Sequence, residues 1–202
     1  MSKSYYIPAK FDQVETDVKK SRFIARVDTV KSREQAMSFL DQAKKDYPDA
    51  RHHCWAYLIG NPQSASNAAM NDDGEPAGTA GKPILNVIQH KGIGDVMVVI
   101  IRYFGGIKLG AGGLTRAYSG ATEAVLSQTP LEEKVPMSNI RLGCDFSQEQ
   151  ILRHWMIQWK AEVVSTDYSE QVSMILDVPK SNITEIEKFC LANNISIDEV
   201  GM

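Results

Sequence analysis

Residues 95–104, DVMVVIIRYF, are apolar and β-branched almost without a break until Arg102. A strand carries that pattern when both of its faces are covered, so these residues are expected to run through the middle of a sheet with structure packed above and below. Eleven of the chain's 14 glycines lie between positions 74 and 120, in the segments flanking the run. The sequence around it reads as strands at 4–16 and 22–30, a helix at 33–46 opened by a Ser32/Gln35 capping box, and a strand at 52–59. A glycine- and alanine-rich loop, NPQSASNAAMNDDGEPAGTAG, then leads to a helix at about 80–90, the central strand, and a helix at 113–128. This is a mixed α/β domain.

The stretch SQTPLEEKVPM, residues 127–137, has two prolines and a cluster of charges after the last of these helices, the composition of an interdomain linker. The expected division is a domain at 1–130, a linker at 131–136 and a second domain at 137–202. The second domain reads as strand 137–144, helix 147–160, strands 162–168 and 171–178, helix 182–193 and strand 195–200, the βαββαβ order of ferredoxin-like domains. Ser147 and Gln150 have the spacing of a capping box. Ile151, Trp155 and Trp159, with Leu152 and Met156 beside them, form an apolar stripe aimed at the sheet. Val172, Met174, Leu176 and Val178 alternate as a half-buried strand does. The fold class is therefore α+β.

The formal net charge of −3 is unevenly distributed. Residues 135–202 carry net −5 and residues 1–134 net +2, so the two halves suit different partners. Within 76–122 there are Lys82, Lys91, Arg102, Lys108 and Arg116 but a single acid, Asp95. No apolar run approaches the length of a membrane span and the amino terminus has no signal-peptide pattern, so a cytoplasmic protein without membrane contact is expected. Cys54, Cys144 and Cys190 are odd in number and lack a Cys-x-x-Cys pair, which fits reduced thiols and neither a disulfide framework nor a zinc site.

The segment RYFGGIKLGAGGLTRAYSGA, residues 102–121, runs from the end of the central strand into a helix and contains six glycines, three cations and no acid. A strand, a glycine loop and a helix start together offer backbone amides to an anion. Neither a Walker loop nor a dinucleotide fingerprint is present, which disfavours nucleotide hydrolysis. The candidate anion- or nucleic-acid-binding residues are His52, Lys82, Arg102, Lys108, Gly112, Gly113 and Arg116. An architectural reading, in which these glycines serve only tight turns and close packing, remains open beside the functional one. In RHHCWAY, residues 51–57, alternation puts His52, Cys54 and Ala56 on one face and His53, Trp55 and Tyr57 on the other. Asp72, Asp73 and Glu75 lack calcium-loop spacing and are expected to orient their turn or pair with neighbouring cations, so no metal and no cofactor is expected.

The segments SRFIARV, DARHHCWAY, DDGEPAGTAGKPIL and VVIIRYFGGIKLGAGGLTRAY, in this order, resemble the YigZ/IMPACT family. The resemblance implies a first domain similar to the ribosomal protein S5 second-domain type and a second similar to the carboxy-terminal domain of elongation factor G. It also implies a regulator of translation or a nucleic-acid binder, and brings no catalytic residues. Three functions follow from residues and resemblance together. The first is a non-enzymatic protein that binds RNA or the ribosome and regulates translation. The second is a protein-interaction adaptor whose glycine-rich basic loop, with Lys108 and Arg116, contacts acidic groups of another protein; separately, the acidic second domain suits a protein partner better than RNA. The third is an enzyme acting on a small anionic or phosphorylated substrate, with His52 or His53 as base.

Overall fold

The computed structural model describes residues 4–200. They divide into two compact units, Tyr5–Lys134 and residues 135–200. In the first unit, β2 (Asp12–Val18), β3 (Ser21–Thr29), β4 (His52–Ile59), β5 (Asn67–Asn71) and β6 (Val96–Tyr103) form one antiparallel sheet in the order β2-β3-β6-β4-β5. The apolar run is the middle strand, β6, and Val96 through Ile101 are fully buried. Helix α1 (Arg33–Asp46) covers one face through Ala36, Leu40 and Ala43, over Met97, Val99 and Ile101. Helices α2 (Gly81–Lys91) and α3 (Ala111–Gln128) cover the other, over Val96, Val98 and Ile100. Covering both faces satisfies the hydrophobic pattern that set the expectation.

In the first unit the expected strands and linker depart from the fold in three places, each decided by long-range pairing. The expected strand 4–16 is two strands in different sheets, because β1 (Tyr5–Pro8) ends at a proline and pairs antiparallel with β7 (Leu131–Lys134) instead of joining β2. Residues 131–134, expected as linker, are therefore a strand of the first unit, and Lys134 reaches the buried Asp95. The alanine-rich loop contains β5, whose NAAMN sequence has little intrinsic strand preference and is held by pairing with β4 from Trp55 to Ile59.

The second unit has β8 (Met137–Cys144), α4 (Glu149–Gln158), β9 (Glu162–Tyr168), β10 (Val172–Pro179), α5 (Ile183–Asn193) and β11 (Ser196–Glu199), the expected βαββαβ order. Its sheet is antiparallel with order β11-β8-β10-β9. The capping box lies two residues earlier than expected, between Asp145 and Gln148 of a short 3-10 turn that precedes α4. The buried face of α4 also differs from the expected stripe. Leu152, Met156 and Trp159 enter the core, whereas Ile151 is 48% exposed.

Asp95 locks the far end of the first unit. Its carboxylate, 2% exposed as a residue, accepts from Tyr5 Oη at 2.9 Å and Gly60 N–H at 2.7 Å, and pairs with Lys134 Nζ. Burial alone would raise its pKa, but Lys134, Gly60 and Tyr5 outweigh it and hold the carboxyl below the usual range. A carboxylate depressed on folding adds stability above its unfolded pKa of about 4, and that stability is lost as pH falls through the folded value. Asp95→Ala is expected to lower unfolding free energy at neutral pH by about 2–3 kcal/mol. Urea titrations should also show a shallower loss of stability below about pH 4 than in the parent chain.

Candidate functional site

Antiparallel register sets the geometry. Arg102, on β6, stands opposite Phe23 on β3 and opposite His52 on β4, and all three point to the face that carries α2 and α3. The loop before α2 docks on the free edge of β4: Asp73 Oδ2 accepts from His53 N–H at 2.6 Å, and the Asp73 carbonyl accepts from His52 Nδ1 at 2.7 Å. Helix α2 therefore starts at the same end of the sheet at which β6 finishes and α3 begins. The two helices pack side by side with both amino termini at that end.

Those two termini are treated differently. Asp72 accepts from Gly78, Ala80 and Gly81 N–H at 2.8, 3.0 and 2.8 Å, which closes the start of α2. Burial opposes the Asp72 charge, but the three amide donors prevail and keep its pKa low. Helix α3 has Gly110 as N-cap, no side-chain cap and no acidic residue in its first turn. The amides of Ala111, Gly112 and Gly113 precede the first helical bond, from Leu114 N–H to the Gly110 carbonyl, and these three residues are exposed or half-buried.

Arg102 is not the free surface cation that the charge count implied. Its side chain is 8% exposed, and Nη1 donates to Glu75 Oε1 at 2.6 Å. The same oxygen accepts from Tyr118 Oη at 2.8 Å, and Cys54 Sγ lies 3.2 Å from that hydroxyl and 2.9 Å from the Asp72 carbonyl. Arg102 Nε has no partner, and Nη2 has only Ser21 Oγ at 3.5 Å. Burial pushes the Cys54 thiol and the Tyr118 hydroxyl up, which removes both as nucleophiles.

Above this pair lies a cavity of about 290 Å³, whose walls include Pro76, Phe104, Leu109 and Leu114 and whose rim carries Lys108 and Gly110. A second depression, about 220 Å³, shares Leu109 and is lined by Lys19, Gly113 and Arg116. Glu75 is the sole acid lining either one. Lys82 is exposed in the first turn of α2, at the same end of the sheet. Of the residues singled out from sequence, Lys82, Lys108 and Arg116 thus present charge at one end, with Gly112 and Gly113 between them on α3. Arg102 lies beneath, neutralised. His52 is half-buried with Nδ1–H committed to a carbonyl, which leaves Nε2 as the acceptor of the neutral ring. His53 lies on the opposite face, where burial lowers its pKa, and so cannot act as a base for the glycine loop.

Three side chains were missed. Lys19 and Lys20 form the tight β2–β3 turn with φ of 47° and 65°, and the backbone of Lys20 lies so close to Gly105 that a Cβ there would meet its carbonyl oxygen at 1.9 Å. The Lys-Lys pair was visible in the sequence, but its neighbour across the sheet was not. Phe104, 55% exposed beside the glycines, was the third. Gly105 is thus architectural, whereas a Cβ on Gly112 would meet only Arg116 Nη1 at an ordinary 3.6 Å, so packing does not demand a glycine there. A larger depression of about 640 Å³ on the α1 side is lined by acids and lysines together, among them Asp28, Asp41, Lys31 and Lys45, and favours neither sign of ligand.

Residues 19–126 match the family description "Impact N-terminal domain", and residues 142–190 match "Domain of unknown function (DUF1949)". The chain belongs to the IMPACT family. It is 36% identical over 179 residues to an IMPACT family member of Haemophilus influenzae, covering 89% of this chain and 87% of that one. It is also 36% identical over 182 residues to the IMPACT family member YigZ of Escherichia coli, covering 90% and 89%. A crystal structure described as that of a hypothetical protein is 33% identical, with a TM-score of 0.70 over 100% of this IMPACT chain and 98% of the other. The resemblance read from the motifs is borne out, as is the two-domain α+β class.

Two outcomes check the burial of these groups. Glu75→Gln leaves the Arg102 charge unpaired and is expected to destabilise this IMPACT family member by about 3–5 kcal/mol, while Glu75→Gln with Arg102→Met recovers most of the loss in urea unfolding. All three cysteines are buried and all three thiol pKa values are raised, Cys190 to about 11. A disulfide exchange reagent at pH 8 should therefore label the native chain far more slowly than the unfolded one.

Proposed function

We propose that the chain binds RNA, free or in the ribosome, without chemistry of its own, through the end of the first unit where α2 and α3 begin. The observation that carries this reading is the uncapped start of α3, with Lys19, Lys108 and Arg116 lining the depressions beside it and Lys20 and Lys82 exposed at the same end of the unit. A helix start with free amides and a positive dipole end takes a phosphate, and surrounding lysines and arginines take its neighbours along a strand. The enzymatic alternative loses support because Cys54 and Tyr118 are buried with raised pKa values and, of its two candidate bases, His53 faces away and only His52 shares the face of Arg102. The family resemblance adds a role in regulating translation as the setting for this binding. The second unit, net −5, is assigned to a protein contact instead of to RNA.

About four to five neutralised phosphates on a single strand give a slope of roughly −3 for log affinity against log salt. Fluorescence anisotropy with a labelled single-stranded RNA between low and moderate salt measures it, and a flat profile or no binding at low salt overturns the proposal. Gly112→Asp separates site from scaffold. The new carboxylate at the start of α3 should stabilise the fold by about 0.3–1 kcal/mol while lowering RNA affinity, an outcome that a purely architectural Gly112 would not produce.

A further inference from the structure

The phosphate contacts proposed above leave the 290 Å³ cavity unexplained, since its floor is not positive. Arg102 and Glu75 cancel there, and a phosphate placed against Glu75 would meet a carboxylate. The walls, Pro76, Phe104, Leu109 and Leu114, are apolar. Arg102 and Glu75 both line it, and the hydrogen-bonding capacity left to the floor is that of Nη2, whose one partner, Ser21 Oγ, is a long 3.5 Å away; Nε, without a partner, is enclosed by protein. A carboxylate acceptor and guanidinium donors side by side under an apolar slot match a flat group that is apolar on its faces and carries donors and acceptors on its edge. The volume sits at the low end of small-ligand clefts and admits one such group. Phe104, half out in solvent at the mouth and 5.7 Å from the Arg102 guanidinium, offers a ring to stack on.

We infer that this cavity receives a single unpaired nucleobase of the bound RNA, stacked on Phe104 with its edge toward Arg102 and Glu75, while the adjoining phosphate lies on the start of α3 beside Lys108. The inference rests on the RNA-binding reading and narrows it to single-stranded RNA, because a paired base cannot leave its duplex to enter the slot without an unpairing cost. A peptide side chain is the competing occupant. The cationic rim and uncapped helix start favour the base, which brings its own phosphate.

The test uses the full chain and a ten-unit RNA backbone that is abasic throughout, compared with the same backbone bearing one central 2-aminopurine, whose emission changes on stacking. The single base is expected to tighten binding about tenfold, with a change in its emission. Phe104→Ala should abolish both effects and leave the salt slope unaltered, and Phe104→Tyr should retain them. A duplex of equal length is expected to bind more weakly than the single strand. If both backbones bind equally with the expected salt slope, or Phe104→Ala changes nothing, the base pocket is overturned and RNA binding stands. If neither backbone nor any natural-base RNA binds, both readings fall. Displacement of the RNA by an acidic peptide with no base effect also overturns the pocket and points to a protein partner.

Discussion

The buried pair of Arg102 and Glu75 is the joint on which the first unit's working end depends. It ties the exit of the central strand to the loop that precedes α2, and through Tyr118 it ties both to α3. Two charges in an apolar interior add little net stability over a hydrophobic packing of the same size, but losing one partner is costly. The pair therefore acts less as glue than as a constraint on geometry. Arg102 is fixed over Phe23 and beneath Phe104, and of the buried side-chain polar atoms of Arg102, Glu75 and Tyr118 only the guanidinium Nε lacks a partner.

Much of the fold was legible because it follows from short-period patterns. The unbroken apolar run gave a central strand, alternation put His52 and His53 on opposite faces, and the second domain's element order came from periodicity alone. What was lost depends on partners distant in sequence. Strand β7 exists because Tyr5–Pro8 lies beside it, and β5 because β4 has an edge to offer, and neither segment carries a local signal for it. The charge count at the candidate site failed for a related reason. The window drawn around the cations began at residue 76, and the carboxylate that neutralises Arg102 is Glu75, brought in by a turn whose docking on β4 no spacing rule reveals.

The glycines divide between architecture and openness. Gly105 is squeezed against the Lys20 backbone and Gly110 holds φ of 71°, so each is required by the chain's path. Gly112 is under no such requirement, and its lack of a side chain leaves the first amides of α3 bare. The neighbouring helix shows the contrast, since Asp72 places a carboxylate on the start of α2. One terminus is sealed by the chain's own anion and the other is left for something else.

The clasp of β1 on β7 has a mechanical meaning. Tyr5 and Lys134 are register partners, so the chain enters and leaves the first unit at adjacent points on one two-stranded ribbon. A pull transmitted through the two ends of this unit would be loaded on that ribbon in the unzipping direction, one backbone pair at a time, before any of it reached the five-stranded sheet. The first pair to part, Tyr5 and Lys134, is also the pair whose side chains hold the buried Asp95, so the ribbon is secured at the end where it would open.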